Sequence, residues 1–205
     1  MGYYPIVMDL TGQKCLVVGG GEVALRKAQS LTEAGARVTV IAPEIFPAIE
    51  ALENVRVEKR PWQQGDTFGH ALVIAATDDA ALNAAVSDEA RGKGIPVNVV
   101  DDPELCSFIV PACVRRGDLL IAITTSGKSP ALSKRIRAEL EKTYGLEYTE
   151  FVELLGELQH QVMRLYTEQS DRQAAFDRLV NCGILELLRS GKRDQARKKA
   201  LECIL

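Results

Sequence analysis

Cys15-Leu16-Val17-Val18-Gly19-Gly20-Gly21-Glu22-Val23-Ala24 decides how the rest of this chain is read. Its unbroken apolar run contains two β-branched residues and suits a strand buried on both faces. Three glycines follow, and then a helical pattern from Val23 to Ala34, stopped by Gly35. Gly19 permits a tight turn. Gly21 leaves room for a pyrophosphate to approach the backbone, and Ala24 takes the third small position, where helix and strand pack closely. This is the G-x-G-x-x-(G/A) spacing of a dinucleotide site, with phosphates resting on a helix N-terminus. A glycine turn in some other α/β protein fits the same local residues.

Working outward, Arg37–Ala42 reads as a second strand and ends in Pro43-Glu44. Glu44 stands about 20 residues beyond the glycines, the distance of an acidic ribose ligand. It also reads as the first-turn glutamate of a helix over 45–52. No basic residue lies between Ile41 and Glu50, so a 2′-phosphate would meet a carboxylate and no cation, which favours NAD over NADP. Residues 55–60 alternate like an exposed strand, and 71–76 form another buried one. Thr77 or Asp78 caps a helix from Ala80 to Lys93, or borders a ligand at the strand end. Residues 97–100 make a further strand, ending in Asp101-Asp102-Pro103. Strand and helix alternate throughout, which predicts a parallel sheet with right-handed crossovers.

After Pro103 the rhythm changes. Residues 107–118 and 119–125 read as a hairpin with Gly117-Asp118 at its tip. Ser126-Gly127-Lys128-Ser129-Pro130 leads into a helix from Ala131 to about Tyr144, and helical periodicity then continues with breaks near Ser170, Gly183 and Gly191. The expected architecture is a Rossmann-like α/β domain over 1–112, a small α+β region over 113–145 and a helical region over 146–205.

With 205 residues, 46% apolar and 26% charged, the composition is that of a soluble globular protein. No apolar run approaches the roughly 20 residues that cross a bilayer, and residues 1–9 lack the basic start and apolar core of a secretory signal. Five cysteines, an odd number without C-x-x-C spacing, suggest reduced thiols in a cytoplasmic protein. Two histidines far apart in sequence, His70 and His160, argue against a built-in metal site. Charge is uneven: residues 1–112 carry 9 Lys/Arg against 15 Asp/Glu, whereas 113–142 carry 7 against 3. That middle segment offers an anion something to hold, or is a solvated basic helix face. No nucleic-acid or membrane partner is expected.

Without a well-placed histidine, acid–base work falls to carboxylates. Asp101 stands at the carboxyl end of a strand, where α/β sheets place their ligands, and desolvation there would fit it to act as acid or base. The residues alone favour a plain turn at Asp101-Asp102-Pro103. Gly127-Lys128-Ser129 is no P-loop, because position 122 is Ala where the first glycine belongs. Lys128 and the following helix start could still hold carboxylates.

The glycine stretch with Arg26-Lys27, Ala75-Ala-Thr-Asp-Asp79, Asn98-Val-Val-Asp-Asp-Pro103, Ser107-Phe-Ile-Val-Pro111 and Thr124-Thr-Ser-Gly-Lys-Ser-Pro130 together resemble the precorrin-2 dehydrogenases, which occur alone or as the N-terminal part of sirohaem synthases. The resemblance implies a Rossmann domain, a central dimerisation region and a helical tail in a homodimer. It implies NAD-dependent oxidation of precorrin-2 to sirohydrochlorin, with Fe²⁺ insertion added in some members; a non-catalytic NAD- or tetrapyrrole-binding protein is the alternative. It places the essential acid at Asp101 and cofactor contacts at Gly19, Gly21, Glu22, Val23, Pro43 and Glu44. The basic segment, with Arg115, Arg116 and Lys128, would face the carboxylates of the tetrapyrrole. The family's phosphorylatable serine falls on Thr125, so that modification is not carried over to Thr124, Thr125 or Ser126.

Overall fold

A computed structural model describes residues 2–204; Met1, part of the leading segment read for a secretory signal, and Leu205 lie outside the described residues. The chain divides into two compact units, one ending at Val110 and one beginning at Pro111.

In the first unit, β1 (Lys14–Val18), β2 (Arg37–Ala42), β3 (Val55–Lys59), β4 (Leu72–Ala75) and β5 (Val97–Val99) form one sheet in the order β3-β2-β1-β4-β5. Every pairing is parallel. The β1/β4 boundary is therefore the point where the winding reverses, the place where such sheets bind ligands. Alternation along the strands builds two apolar layers. Cys15, Val17, Val38, Val40 and Ile74 meet Ala24, Ala28 and Leu31 of α1 (Glu22–Glu33) and Ile49 of α2 (Pro47–Glu50). Leu16, Val18, Ile41, Val73 and Val97 meet Val86 and Ala90 of α3 (Ala80–Gly92) on the other side.

Several boundaries differ from the sequence reading. The helix expected over 45–52 shrinks to a single turn with Pro47 at its start. Asp79, not Thr77 or Asp78, caps α3, its carboxylate accepting from the amides of Ala81 and Leu82 at 2.9 and 3.0 Å. The strand read from Ser107 onward begins only at Ala112. Residues 106–108 instead lie along the outer edge of β5. Ser107 donates its amide to the Val97 carbonyl at 2.8 Å and its hydroxyl accepts from the Val97 amide at 2.8 Å. The Cys106 sulfur accepts from the Val99 amide at 3.1 Å, and the thiol donates to the Val99 carbonyl at 3.2 Å.

No helix connects β3 to β4. Residues 60–71 are held instead by charge. Arg60 donates to Asp66 through both terminal nitrogens, at 2.7 and 2.8 Å, and to Glu58. Glu89 of α3 accepts from the hydroxyl of fully buried Thr67 at 2.6 Å.

In the second unit, β6 (Ala112–Arg116) and β7 (Leu119–Ile123) form the expected antiparallel hairpin, with Gly117 in its turn at φ +56°. A helix α4 (Pro130–Thr143) follows, capped by the Ser129 hydroxyl, then α5 (Glu147–Leu165), α6 (Gln169–Asn181), α7 (Ile184–Arg189) and α8 (Arg193–Cys203). Phe151, Leu154, Leu158 and Val162 make one stripe along α5, buried against Ala175, Leu179, Ile184, Ala196 and Ala200. Residues 113–145 and 146–205, read as separate regions, share this unit because α5 seats on the hairpin: a Cβ on Gly117 would stand 2.9 Å from the Thr149 methyl.

Candidate functional site

The glycine turn joins β1 to α1 at the carboxyl edge of the first unit's sheet. Gly19 has φ +126°, and a Cβ there would collide with the Ala76 carbonyl at the end of β4. Gly20 is equally confined: a Cβ would overlap the Glu44 carbonyl oxygen and stand 3.0 Å from the Ala42 methyl. The Phe46 amide donates to the Gly20 carbonyl at 2.8 Å and ties the turn to the segment after β2. At Gly21 the reverse holds. No atom lies within 4 Å of an added Cβ, and Gly21 is the N-cap of α1, with no side chain to satisfy the first amides. A backbone with free donors and an unobstructed approach is what a pyrophosphate requires, so these residues fit a dinucleotide. Sequence reasoning gave Gly19 and Gly21 their roles and missed Gly20, whose constraint comes from the end of β2 and the segment just after it.

The turn after β4 is braced by a residue the sequence reading passed over. Asn83 of α3 is 7% exposed. Its amide nitrogen donates to the Thr77 carbonyl at 2.9 Å, and the Thr77 hydroxyl donates to its Oδ1 at 2.7 Å. This pair fixes Ala76-Thr77, the wall against which Gly19 packs. A polar residue on the buried face of a helix was the available signal.

Pro43 and Glu44 are exposed just beyond β2, and Glu22 and Val23 open α1, so all the expected cofactor residues gather at this edge. Spatial register adds a cation that linear spacing concealed. Lys59 ends β3 opposite Ala42, and its ammonium is held 2.8 Å from Glu50.

Asp101 lies at the same edge, two residues past β5, exposed and with φ +62°. The Asp102 amide donates to the Val99 carbonyl at 3.4 Å, so Asp101 takes the left-handed third position of a turn, where a non-glycine residue costs about 1–2 kcal/mol. The two acids have parted roles. Asp102 accepts from the Glu104 amide at 3.2 Å, whereas no hydrogen bond engages the Asp101 carboxylate among the described residues. Lys27 of α1 is its cationic neighbour. Burial lowers the Lys27 pKa and Arg26 adds to this, while Asp101 and Cys106 act the other way.

The cationic candidates belong to the second unit. Arg115 and Lys128 are exposed. Arg116 is turned inward, donating to the carbonyls of Tyr144, Arg115 and Glu141 at 2.8, 2.8 and 3.2 Å. The loop before α4 is ordered by Thr125, whose hydroxyl accepts from the Ser129 amide at 3.0 Å. Among the described residues no group of three or more His, Cys, Asp or Glu is placed to hold a metal, and no helix is long and apolar enough to cross a membrane.

Comparison with known proteins agrees with this geometry. The model of the putative NAD(P)-binding family matches residues 6–112, and that of the sirohaem biosynthesis protein central region matches 116–143. The chain is 42% identical over 201 residues to a siroheme synthase of Pseudomonas aeruginosa, covering 97% of this chain and 43% of the relative. It is 40% identical over 205 residues to a siroheme synthase of Methylococcus capsulatus, covering 98% of this chain and again 43% of the relative. The chain thus spans less than half the length of these curated relatives. Among solved structures, SirC, a precorrin-2 dehydrogenase, superposes with a TM-score of 0.76 at 27% identity, covering 98% of this chain and 100% of that one. With more than half of its length matched by the first model, the chain belongs to the putative NAD(P)-binding family, in the sirohaem-biosynthesis branch that continues into that central region.

Proposed function

We propose that this chain oxidises precorrin-2 to sirohydrochlorin with NAD⁺. The observation that carries the reading is the carboxyl edge of the first sheet, where an unobstructed helix start at Gly21 and an unengaged carboxylate at Asp101 share one rim. The end-to-end likeness to SirC supports it.

The backbone amides of Glu22 and Val23 would hold the pyrophosphate, Gly19 and Gly21 would let it approach, and Glu44 with Pro43 would hold the adenosine ribose. When bound, the nicotinamide supplies a hydride acceptor. Asp101 then takes the proton lost from the macrocycle onto a carboxylate oxygen, so that NADH and one proton balance the oxidation. Its left-handed backbone turns it out of the strand direction, with Lys27 of α1 as its cationic neighbour. NAD is the expected coenzyme because the Glu44 carboxylate would repel a 2′-phosphate, while the nearby Lys59 is already paired with Glu50. Arg115 and Lys128 are assigned to substrate carboxylates, with Arg116 fixing the hairpin tip beside Arg115. Two copies would assemble through the β6–β7 hairpin, since a two-stranded sheet is marginal alone and Leu132 beside it on α4 is 47% exposed.

Anaerobic incubation with precorrin-2 and NAD⁺, followed by absorbance, should show NADH and the sirohydrochlorin chromophore rising together. Asp101→Asn should lower kcat by about 100-fold or more with NAD⁺ binding retained; turnover at the parent rate would remove Asp101 from the mechanism. Replacing NAD⁺ by NADP⁺ should raise KM, and Glu44→Gln should narrow the gap. Adding Fe²⁺ to the product tests for chelation in the same cuvette.

A further inference from the structure

The sheet of the first unit is covered unequally. On the side of α3, the helix shields β1, β4, β5 and Ile41 near the end of β2, but no helix or strand among the described residues covers the rest of β2 and β3, because the β3–β4 connection is the loop 60–71. Register places Lys14 beside Arg37, Thr39 beside Arg56 and Ile41 beside Glu58 on this one face. Between it and the loop lies a cavity of about 650 Å³.

The charges lining this cavity do not balance. Its two acids are already engaged: Glu58 by Arg60 and Arg56, Asp66 by Arg60. Lys14 and Arg37 are left without a carboxylate partner among the described residues, although they open adjacent strands in direct register, where like charges repel. Arg37 donates through its Nε to the Gly12 carbonyl at 2.9 Å, and its two terminal nitrogens donate to no acceptor among the described residues. His70 brings a third nitrogen base from the loop, with its Nδ1 3.4 Å from the Thr67 carbonyl.

We propose that this cavity binds a compact anion of two or more negative charges, a small polycarboxylate or phosphate, bridging Lys14 and Arg37 beside His70. Neighbouring strands sit about 4.8 Å apart, which matches the spacing of two oxyanion groups in one small molecule and not a single chloride or monocarboxylate. The site is at the amino edge of the sheet, the end opposite the glycine turn, so it is separate from cofactor binding. It does not rest on the proposed oxidation.

Occupancy should depend on pH. His70 faces Lys14, Asp66 and the Thr67 carbonyl. Burial holds its pKa below the ordinary value and Lys14 depresses it further, while Asp66 and the carbonyl act the other way. Asp66 stays ionised, since Arg60 holds its carboxyl below the usual range. A bound anion would raise the His70 pKa, so affinity for the fully ionised ligand, corrected for the ligand's own protonation, must strengthen as pH falls from 8 to 6.

Calorimetric titration of the full chain with citrate and with inorganic phosphate tests this. One molecule of either should bind, and acetate should not. The double substitution Lys14→Gln with Arg37→Gln should weaken binding about tenfold or more, whereas Lys192→Gln with Lys199→Gln, the same charge change in the second unit, should leave it intact. Lys14→Gln alone keeps the Arg37–Gly12 bond and should still weaken binding. His70→Gln should flatten the pH dependence. Equal binding by the two double variants, loss that follows Arg115→Gln with Lys128→Gln instead, or no heat from citrate and phosphate would each overturn the proposal.

Discussion

In the first unit the buried strand positions are mostly Val, Ile and Leu, while in the second the buried positions of α6 and α8 are largely alanines, Ala175, Ala196 and Ala200. The second unit is also laced along its surface. Arg189 of α7 and Arg193 and Arg197 of α8 pair with Glu147, Glu150 and Glu157 of α5. A sheet of branched residues gains from area removed from water and from interdigitation. Helices meeting across alanines gain from close approach and leave alignment to long, half-exposed ion pairs, which solvent screening keeps individually weak. The first unit should therefore fail by steric insult, and the second by loss of its few large core residues or by changes in the solvent.

The largest effect is expected at Gly20. Gly20→Ala pushes a methyl into the Glu44 carbonyl and should destabilise the first unit by about 3 kcal/mol, read by urea unfolding. Gly21→Ala meets no neighbour and should keep the melting temperature while weakening NAD⁺ binding; equal stability losses at the two positions would contradict the contrast drawn within the turn. In the second unit, Leu179→Ala removes a fully buried side chain from an alanine-rich surround and should cost about 3 kcal/mol. Glu89→Gln should cost about 1–2 kcal/mol by weakening the acceptor for Thr67 and the Gly65 amide, and should speed proteolysis within 60–71. The smallest effect is at the ion pairs. Arg193→Gln should leave the melting temperature close to that of the parent, with the small difference vanishing in 1 M salt.

Acid gives a complementary test. The Arg189 guanidinium holds the Glu147 carboxyl below its ordinary pKa. Its contribution is complete above the unfolded value of about 4.3 and disappears as pH falls through the lower folded value. Melting curves should show the second unit losing stability below about pH 4, and Glu147→Gln should blunt that loss.

That the sheet is parallel, and which segments build it, could be read from the sequence because burial on both faces writes long apolar runs, as at Leu16-Val17-Val18 and Leu72-Val73-Ile74. The hairpin and the helix breaks at Gly183 and Gly191 were legible from turn chemistry; both glycines have positive φ, +82° and +70°. What depends on contact across the sheet was not. Gly20 is confined by Ala42 and Glu44 at and just past the end of β2, Asn83 binds a turn six residues back, and Lys59 comes beside Ala42 only through the β2–β3 register. The separation of Asp101 from Asp102 was equally hidden, since adjacent identical residues differ here in backbone φ and in that only the Asp102 carboxylate meets an amide.

The seam along β5 carries a further consequence. Its outward amides are taken by the side chains of Ser107 and Cys106, so the last strand offers no bare edge for a foreign strand to extend. That guard depends on a small polar or sulfur-bearing side chain at each position. Ser107→Ala or a bulky adduct on Cys106 would expose the margin of the sheet, and the first sign would be concentration-dependent aggregation of a chain that still binds its cofactor.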